Sequence, residues 1–175
     1  MKTILKLLSL SFLIVSCEHS DINTIDTIAL VVPKSYEGKI LIFLEQDHEK
    51  GKIVFEKGKH FIYIPEDGII LTKYKIEKGQ SHIKVYDESR EEKKEYGLIM
   101  NPQLIPDEQY DVNGGTYRGF HSNLHKDGYN GWINFVEFVA GSGKYIKNNY
   151  YMNDDEVREV YENTLRAISS VQKNN

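Results

Sequence analysis

The stretch "KHFIYIPEDGIILTKYKI", residues 59–76, decides the fold. Up to Ile64 it alternates: Phe61 and Tyr63 fall on one side, Ile62 and Ile64 on the other. A two-residue period in β-branched and aromatic residues marks a strand, not a helix. Pro65 then removes a backbone donor that a continuing ladder would need. "PEDG" (65–68) has turn chemistry, ending on a glycine, and "GIILTKYKI" (68–76) resumes the extended pattern. Strand, short turn and strand is the repeating unit of an antiparallel β protein.

Working outward, the same grammar recurs. "SHIKVYD" (81–87) sets Ile83 and Val85 against His82, Lys84 and Tyr86. "KIVFE" (52–56) alternates, "KILIFLE" (39–45) is apolar enough to be a central strand, and "TIALVV" (27–32) stops at Pro33. "EKGK" (56–59) and "EKGQ" (77–80) place glycine third, where a left-handed turn residue is cheap. Towards the C-terminus, the mixed charges of "ESREEKKE" (88–95) read as a solvated loop and "YGLIM" (96–100) as a further strand. Residues 101–130 form a long polar region, with "TYRGF" (116–120) as a short strand inside it. "WINFVEFVA" (132–140) reads as a buried strand. A helix is expected over about 154–173, because Val157, Val160, Tyr161, Thr164, Leu165, Ile168 and Val171 share one face. Asn153 and Glu156 suit its capping box. The expected class is mainly β, α+β at most: an antiparallel sandwich or barrel-like domain with one C-terminal helix.

The N-terminus has a different character. Lys2 and Lys6 precede "LLSLSFLIV" (7–15), a basic start and an apolar run too short to span a bilayer. Ile14-Val15-Ser16-Cys17 then resembles the bacterial lipobox, in which the cysteine sulfur takes a diacylglyceryl thioether and becomes the first mature residue. This implies a signal peptide at 1–16, a lipidated tether at 17–26 and a single β-rich domain at 27–175. Two or more acyl chains at about 0.8 kcal/mol per buried CH₂ hold a protein on a membrane. The expected location is the cell envelope, lipid-anchored, at the outer membrane with either a periplasmic or a surface face. Cys17 is the only cysteine, so no intramolecular disulfide forms.

The net charge of −4 gives no case for nucleic acid. His121 and His125 stand four apart with Asp127 nearby, a spacing that would gather metal ligands on a helix. Gly119 and Gly128 bracket them, no glutamate follows His121, and exposed loop histidines are the plainer reading. "AGSGKY" (140–145) has Phe138 where a phosphate loop needs its first glycine and Tyr145 where it needs Ser or Thr, so it reads as a strand-to-helix turn. No G-x-S-x-G elbow occurs. Aromatic residues crowd the last third: Tyr110, Tyr117, Tyr129 and Trp132 among Asn and Asp suggest a platform for a sugar or a protein partner. No cofactor is implied.

Two motifs carry a resemblance. Pro33, Tyr36 and Gly38 make "P-x-x-Y-x-G"; Ile64, Pro65, Gly68, Ile69, Leu71 and Thr72 make "IP-x-x-GI-x-LT". Together with Gly119, Phe120 and the stretch from Phe135 to Val139, they resemble a family of small bacterial lipoproteins and secreted proteins of unknown function. The resemblance implies a β fold and an envelope location, and brings no catalytic residue. The expected role is non-catalytic binding or structure. The alternatives are an envelope hydrolase acting on glycan or peptide, and a partner-specific inhibitor or immunity-type lipoprotein.

Overall fold

The computed structural model describes residues 24–25, 27–76, 82–96, 101–122, 124 and 131–173. The expected signal peptide, Cys17 and most of the tether lie outside these residues. Two sheets face each other. In the five-stranded sheet, β2 (Thr27–Val31) lies in the middle, between β5 (Lys59–Tyr63) and β8 (His82–Tyr86). Its edges are β4 (Lys52–Glu56) and β9 (Glu92–Tyr96). The four-stranded sheet runs β10 (Tyr110–His121), β11 (Trp132–Ser142), β3 (Gly38–Phe43), β6 (Ile69–Leu71). A two-residue parallel pair joins β1 (Thr24–Ile25) to β7 (Lys75–Ile76).

Alternation explains the layers. Ile28, Leu30, Ile62, Ile83 and Val85 meet Ile40, Ile42, Ile70, Val136 and Phe138 in one buried cluster between the sheets. The opposite face of the four-stranded sheet is apolar too, so it needs a second cover, and two helices supply it. α1 (Gly143–Asn149) packs Ile146 against Val139, and α2 (Asp154–Lys173) packs Val157 and Tyr161 against Phe43, Phe120 and Phe135. Burying one such side chain contributes about 1.5–3 kcal/mol. The capping box forms: Glu156 N–H donates to Asn153 Oδ1 (2.9 Å), and Asn153 N–H donates to Glu156 Oε2 (3.1 Å). The stripe is deepest at its start; Val171 is exposed.

The mainly β class and the C-terminal helix are as expected; the pairing is not wholly antiparallel. β2 runs parallel to both β5 and β8, and β3 to β6. A period of two fixes which face a side chain takes but says nothing of strand direction. Here the chain passes from one sheet to the other and back, so sheet neighbours are often not sequence neighbours. Among the described residues neither sheet closes into a barrel. The charge run holds the edge strand β9 and not only a loop. The polar region contains β10, far longer than "TYRGF". Its Asp, Asn and Gly content looks like loop, and a bulge between Gly114 and Thr116 breaks the alternation. Pairing with β11 along its whole length overrides that poor propensity. α1 is an added helix, capped by Ser142, whose Oγ accepts from Tyr145 N–H (3.2 Å). "AGSGKY" is thus the strand-to-helix turn its residues suggested.

Candidate functional site

The two motifs converge into one knot. Pro33 to Tyr36 forms a turn closed by Tyr36 N–H to the Pro33 carbonyl (3.1 Å). The Tyr36 hydroxyl donates to the Lys39 carbonyl (2.7 Å), which the turn glycine Gly68 also approaches. A Cβ on Gly68 would stand 1.9 Å from that oxygen and 2.3 Å from the Tyr36 hydroxyl; one on Gly38 would stand 2.8 Å from the same hydroxyl. The glycines of both motifs therefore make room for one phenol. Tyr110 Oη donates to the Tyr36 carbonyl (2.6 Å), tying β10 to the turn. Burial, followed by the neighbouring Tyr145, Asp67 and Tyr110, pushes the Tyr36 hydroxyl up to about 12. Burial and then Glu37 push Tyr110 up to about 12. Both remain donors at neutral pH.

This knot holds the rim of a groove of about 900 Å³. The groove opens where β2 and β8 end and β10 begins, at the mouth between the sheets. Val32, Val85 and Val112 give it an apolar floor; Lys34, Ser35, Asp87, Ser89, Gln109 and Tyr110 are among its polar members. Ser35 sits at the third position of the turn with φ 62°, where glycine is usual. Backbone strain of this kind clusters at binding sites. Across the mouth, the Asp87 carboxylate closes the β8–β9 turn, accepting from Ser89 Oγ (2.5 Å) and Glu91 N–H (3.2 Å).

The other end of the β10–β11 pair, roughly 30 Å away along the strands, is aromatic. Trp132 is 46% exposed and faces His121 across the ladder, edge to ring at 4.7 Å. Its indole packs on bare backbone at Gly119, where a Cβ would meet Nε1 at 2.4 Å. Trp132 Nε1 donates to Asn134 Oδ1 (3.1 Å), and Asn134 Nδ2 donates to Glu45 Oε2 (3.4 Å). Glu45 has φ 56°, a left-handed conformation costly for a residue with a Cβ. Burial first and Glu45 second raise the Tyr117 hydroxyl, which lies on the same face.

Between these ends, on the helix side of the sheet, lies Glu137, 3% exposed. Its carboxylate accepts from Lys39 Nζ (3.0 Å), Arg118 Nη1 (2.6 Å) and the Met152 N–H (3.0 Å). Arg118 also donates to Asp154 and to the Met152 carbonyl (2.7 Å), and its guanidinium lies 4.5 Å from the Tyr151 ring centre. Burial works against the Arg118 cation; hydrogen bonds and charge from Asp154 and Glu137 outweigh it and raise its pKa. With three donors on a two-oxygen group, the site is a clasp that fixes the α1–α2 connection.

The structure thus divides the expected aromatic patch. Tyr117 and Trp132 share one face at one end, Tyr110 braces the groove at the other, and Tyr129 lies outside the described residues. Of the three residues weighed as metal ligands and read as loop residues, His121 stands against Trp132, while His125 and Asp127 lie outside the described residues. Among the described residues, no three His, Cys, Asp or Glu side chains are grouped to hold a metal, and no helix is long and apolar enough to cross a membrane. Sequence reading missed the groove residues Val32, Ser35, Val85 and Gln109, and the pair Glu45 and Asn134. Of the residues singled out in the sequence, the Pro33–Tyr36 motif and Tyr110 pointed towards the groove.

No family model and no curated protein matches the chain. Among solved structures, a Bacillus anthracis protein provisionally described as a lipoprotein superposes with a TM-score of 0.42 at 12% identity, covering 84% of this chain and 93% of that one. So loose a likeness assigns neither fold nor function, and the motif resemblance stands on its residues alone.

Proposed function

We propose that this chain is a lipid-anchored cell-envelope protein, held to the membrane through Cys17, that binds without catalysis through the groove at the mouth of the sandwich. The observation that supports this reading is the convergence of both sequence motifs on the groove rim. Residues with no chemistry of their own (a proline turn, a half-buried phenol and two glycines) hold Lys34 and Ser35 in place. Pockets with an apolar floor and a few fixed polar groups suit binding. Among the described residues the lining has neither histidine nor cysteine; of its carboxylates Asp87, Glu88 and Asp111, the first closes a turn and the last accepts from the Val112 N–H (2.8 Å). The anchor is supported by the order of basic start, apolar run, Ser16 and Cys17.

Two measurements test this. Feeding cells an alkyne fatty acid should label the wild type and leave Cys17→Ala unlabelled and released from membranes. A photo-cross-linking side chain in place of Lys34 should capture a discrete adduct in envelopes, and one in place of the remote turn residue Lys57 should not. Equal labelling with and without Cys17 would remove the anchor; equal adducts at both positions, or none at either, would remove the groove.

A further inference from the structure

We propose that the Trp132 end of the β10–β11 pair is a contact site for a neutral saccharide, separate from the groove. Three observations meet there. First, Trp132 is a large aromatic left half in solvent although its sheet has a buried core. An indole resting on the bare backbone of Gly119 is held in place yet open, a suitable surface for the C–H face of a pyranose. Second, the groups beside it match hydroxyls. Asn134 uses one acceptor site on Trp132 and one N–H on Glu45, so its amide keeps a second N–H and a second lone pair. Glu45 is exposed, and a carboxylate offers about four acceptor positions. Adjacent amide and carboxylate groups can bind vicinal hydroxyls as acceptor and donor together. Third, the placement carries a cost. Glu45 is held left-handed at the end of β3, where its N–H bonds the Tyr74 carbonyl (3.2 Å), and this directs its carboxylate at Asn134. A glycine would meet the backbone requirement without strain, so the carboxylate stands there at a cost in stability. The negative carboxylate selects against acidic sugars. Tyr117 and His121 flank the platform on the same face.

Trp132 is the only tryptophan, so intrinsic fluorescence reports this end of the molecule alone. The full chain carrying Cys17→Ser would be titrated with chitotriose, cellotriose and mannotriose. A saturable change in indole emission with at least one of them is expected. Asn134→Ala should weaken that response about tenfold, the equivalent of one lost hydrogen bond. Glu45→Gly should weaken it too while raising the urea unfolding midpoint, a pair of effects that a purely structural residue does not give. Absence of a saturable response to all three sugars overturns the proposal. So does Glu45→Gly binding as well as its parent. Because the groove lies at the other end of the strands, failure here leaves the cross-linking outcome at position 34 unaffected.

Discussion

Replacing Gly68 with alanine tests the motif knot at its tightest point. Gly68 has φ 69°, which costs an alanine about 1–2 kcal/mol. The added methyl would lie 1.9 Å from the Lys39 carbonyl oxygen and 2.3 Å from the Tyr36 hydroxyl, atoms that are themselves hydrogen-bonded at 2.7 Å. It would wedge into that bond. The turn must retreat, and either this bond or the one from Leu41 N–H to the Gly68 carbonyl (2.9 Å) is lost, or both. Each is worth about 0.5–1.5 kcal/mol, so Gly68→Ala should cost about 1.5–5 kcal/mol in all. Gly58 provides the control. It has φ 74°, but nothing lies within 4 Å of its added Cβ, so Gly58→Ala carries only the backbone cost of about 1–2 kcal/mol. The assay is equilibrium urea unfolding of the Cys17→Ser chain, with hydrogen exchange of residues 33–38 as a local readout. Gly68→Ala should unfold at clearly lower urea and exchange faster in that turn. Equal costs for the two substitutions would refute the reasoning, because the crowding around Tyr36 would then have no energetic weight.

Two further outcomes follow from other sites. Glu137→Ala should destabilise by about 2–4 kcal/mol in the same assay, since it leaves Arg118 and Lys39 without their shared counter-charge; Arg118 keeps Asp154, which limits the loss. A cost below about 0.5 kcal/mol, the range of ordinary surface substitutions, would mean that the clasp does not hold the helix connection. Tyr36, Tyr110 and Tyr161 have folded-state pKa values pushed up to about 12, in each case by burial first. Below the unfolded value of about 10, both states are protonated and their contribution to stability is fully present. As pH climbs from there towards about 12, the unfolded chain ionises first and stability is lost. Phenolate absorbance of the native chain should therefore show these tyrosines lagging, with unfolding accompanying their release; all twelve titrating together near 10 in the folded protein would contradict the packing.

The legible parts were those governed by local physics. Alternation placed Phe61 and Ile62 on opposite faces, Pro65 and Gly68 marked a turn, and the Val157–Tyr161 stripe with Asn153 and Glu156 announced a capped helix. These signals need only a segment and its own periodicity. The candidate sites were legible in part. Trp132 and Tyr117 stood out by type, but the sequence grouped Tyr110 with them because the three are near in number. Along an extended strand, numerical nearness becomes distance.

Strand direction and long-range pairing were decided only by tertiary structure. Nothing in "TIALVV" tells that β2 runs parallel to β5 and β8, because two-residue periodicity is the same in either direction. β10 is a strand because β11 offers it a partner along its full length, despite its glycines and asparagines. Glu137 reads as one polar residue in an apolar strand until Lys39, Arg118 and the Met152 N–H close on it from three places in the chain. The two motifs, separated by some thirty residues, become one object only when Gly68 and Gly38 meet around the Tyr36 hydroxyl. By itself the sequence determined the face that each side chain of the alternating strands takes and the capped C-terminal helix, because those follow from local sterics and hydrophobic period. Which strand meets which, and hence where a groove or a platform appears, required the closure of contacts far apart in the chain.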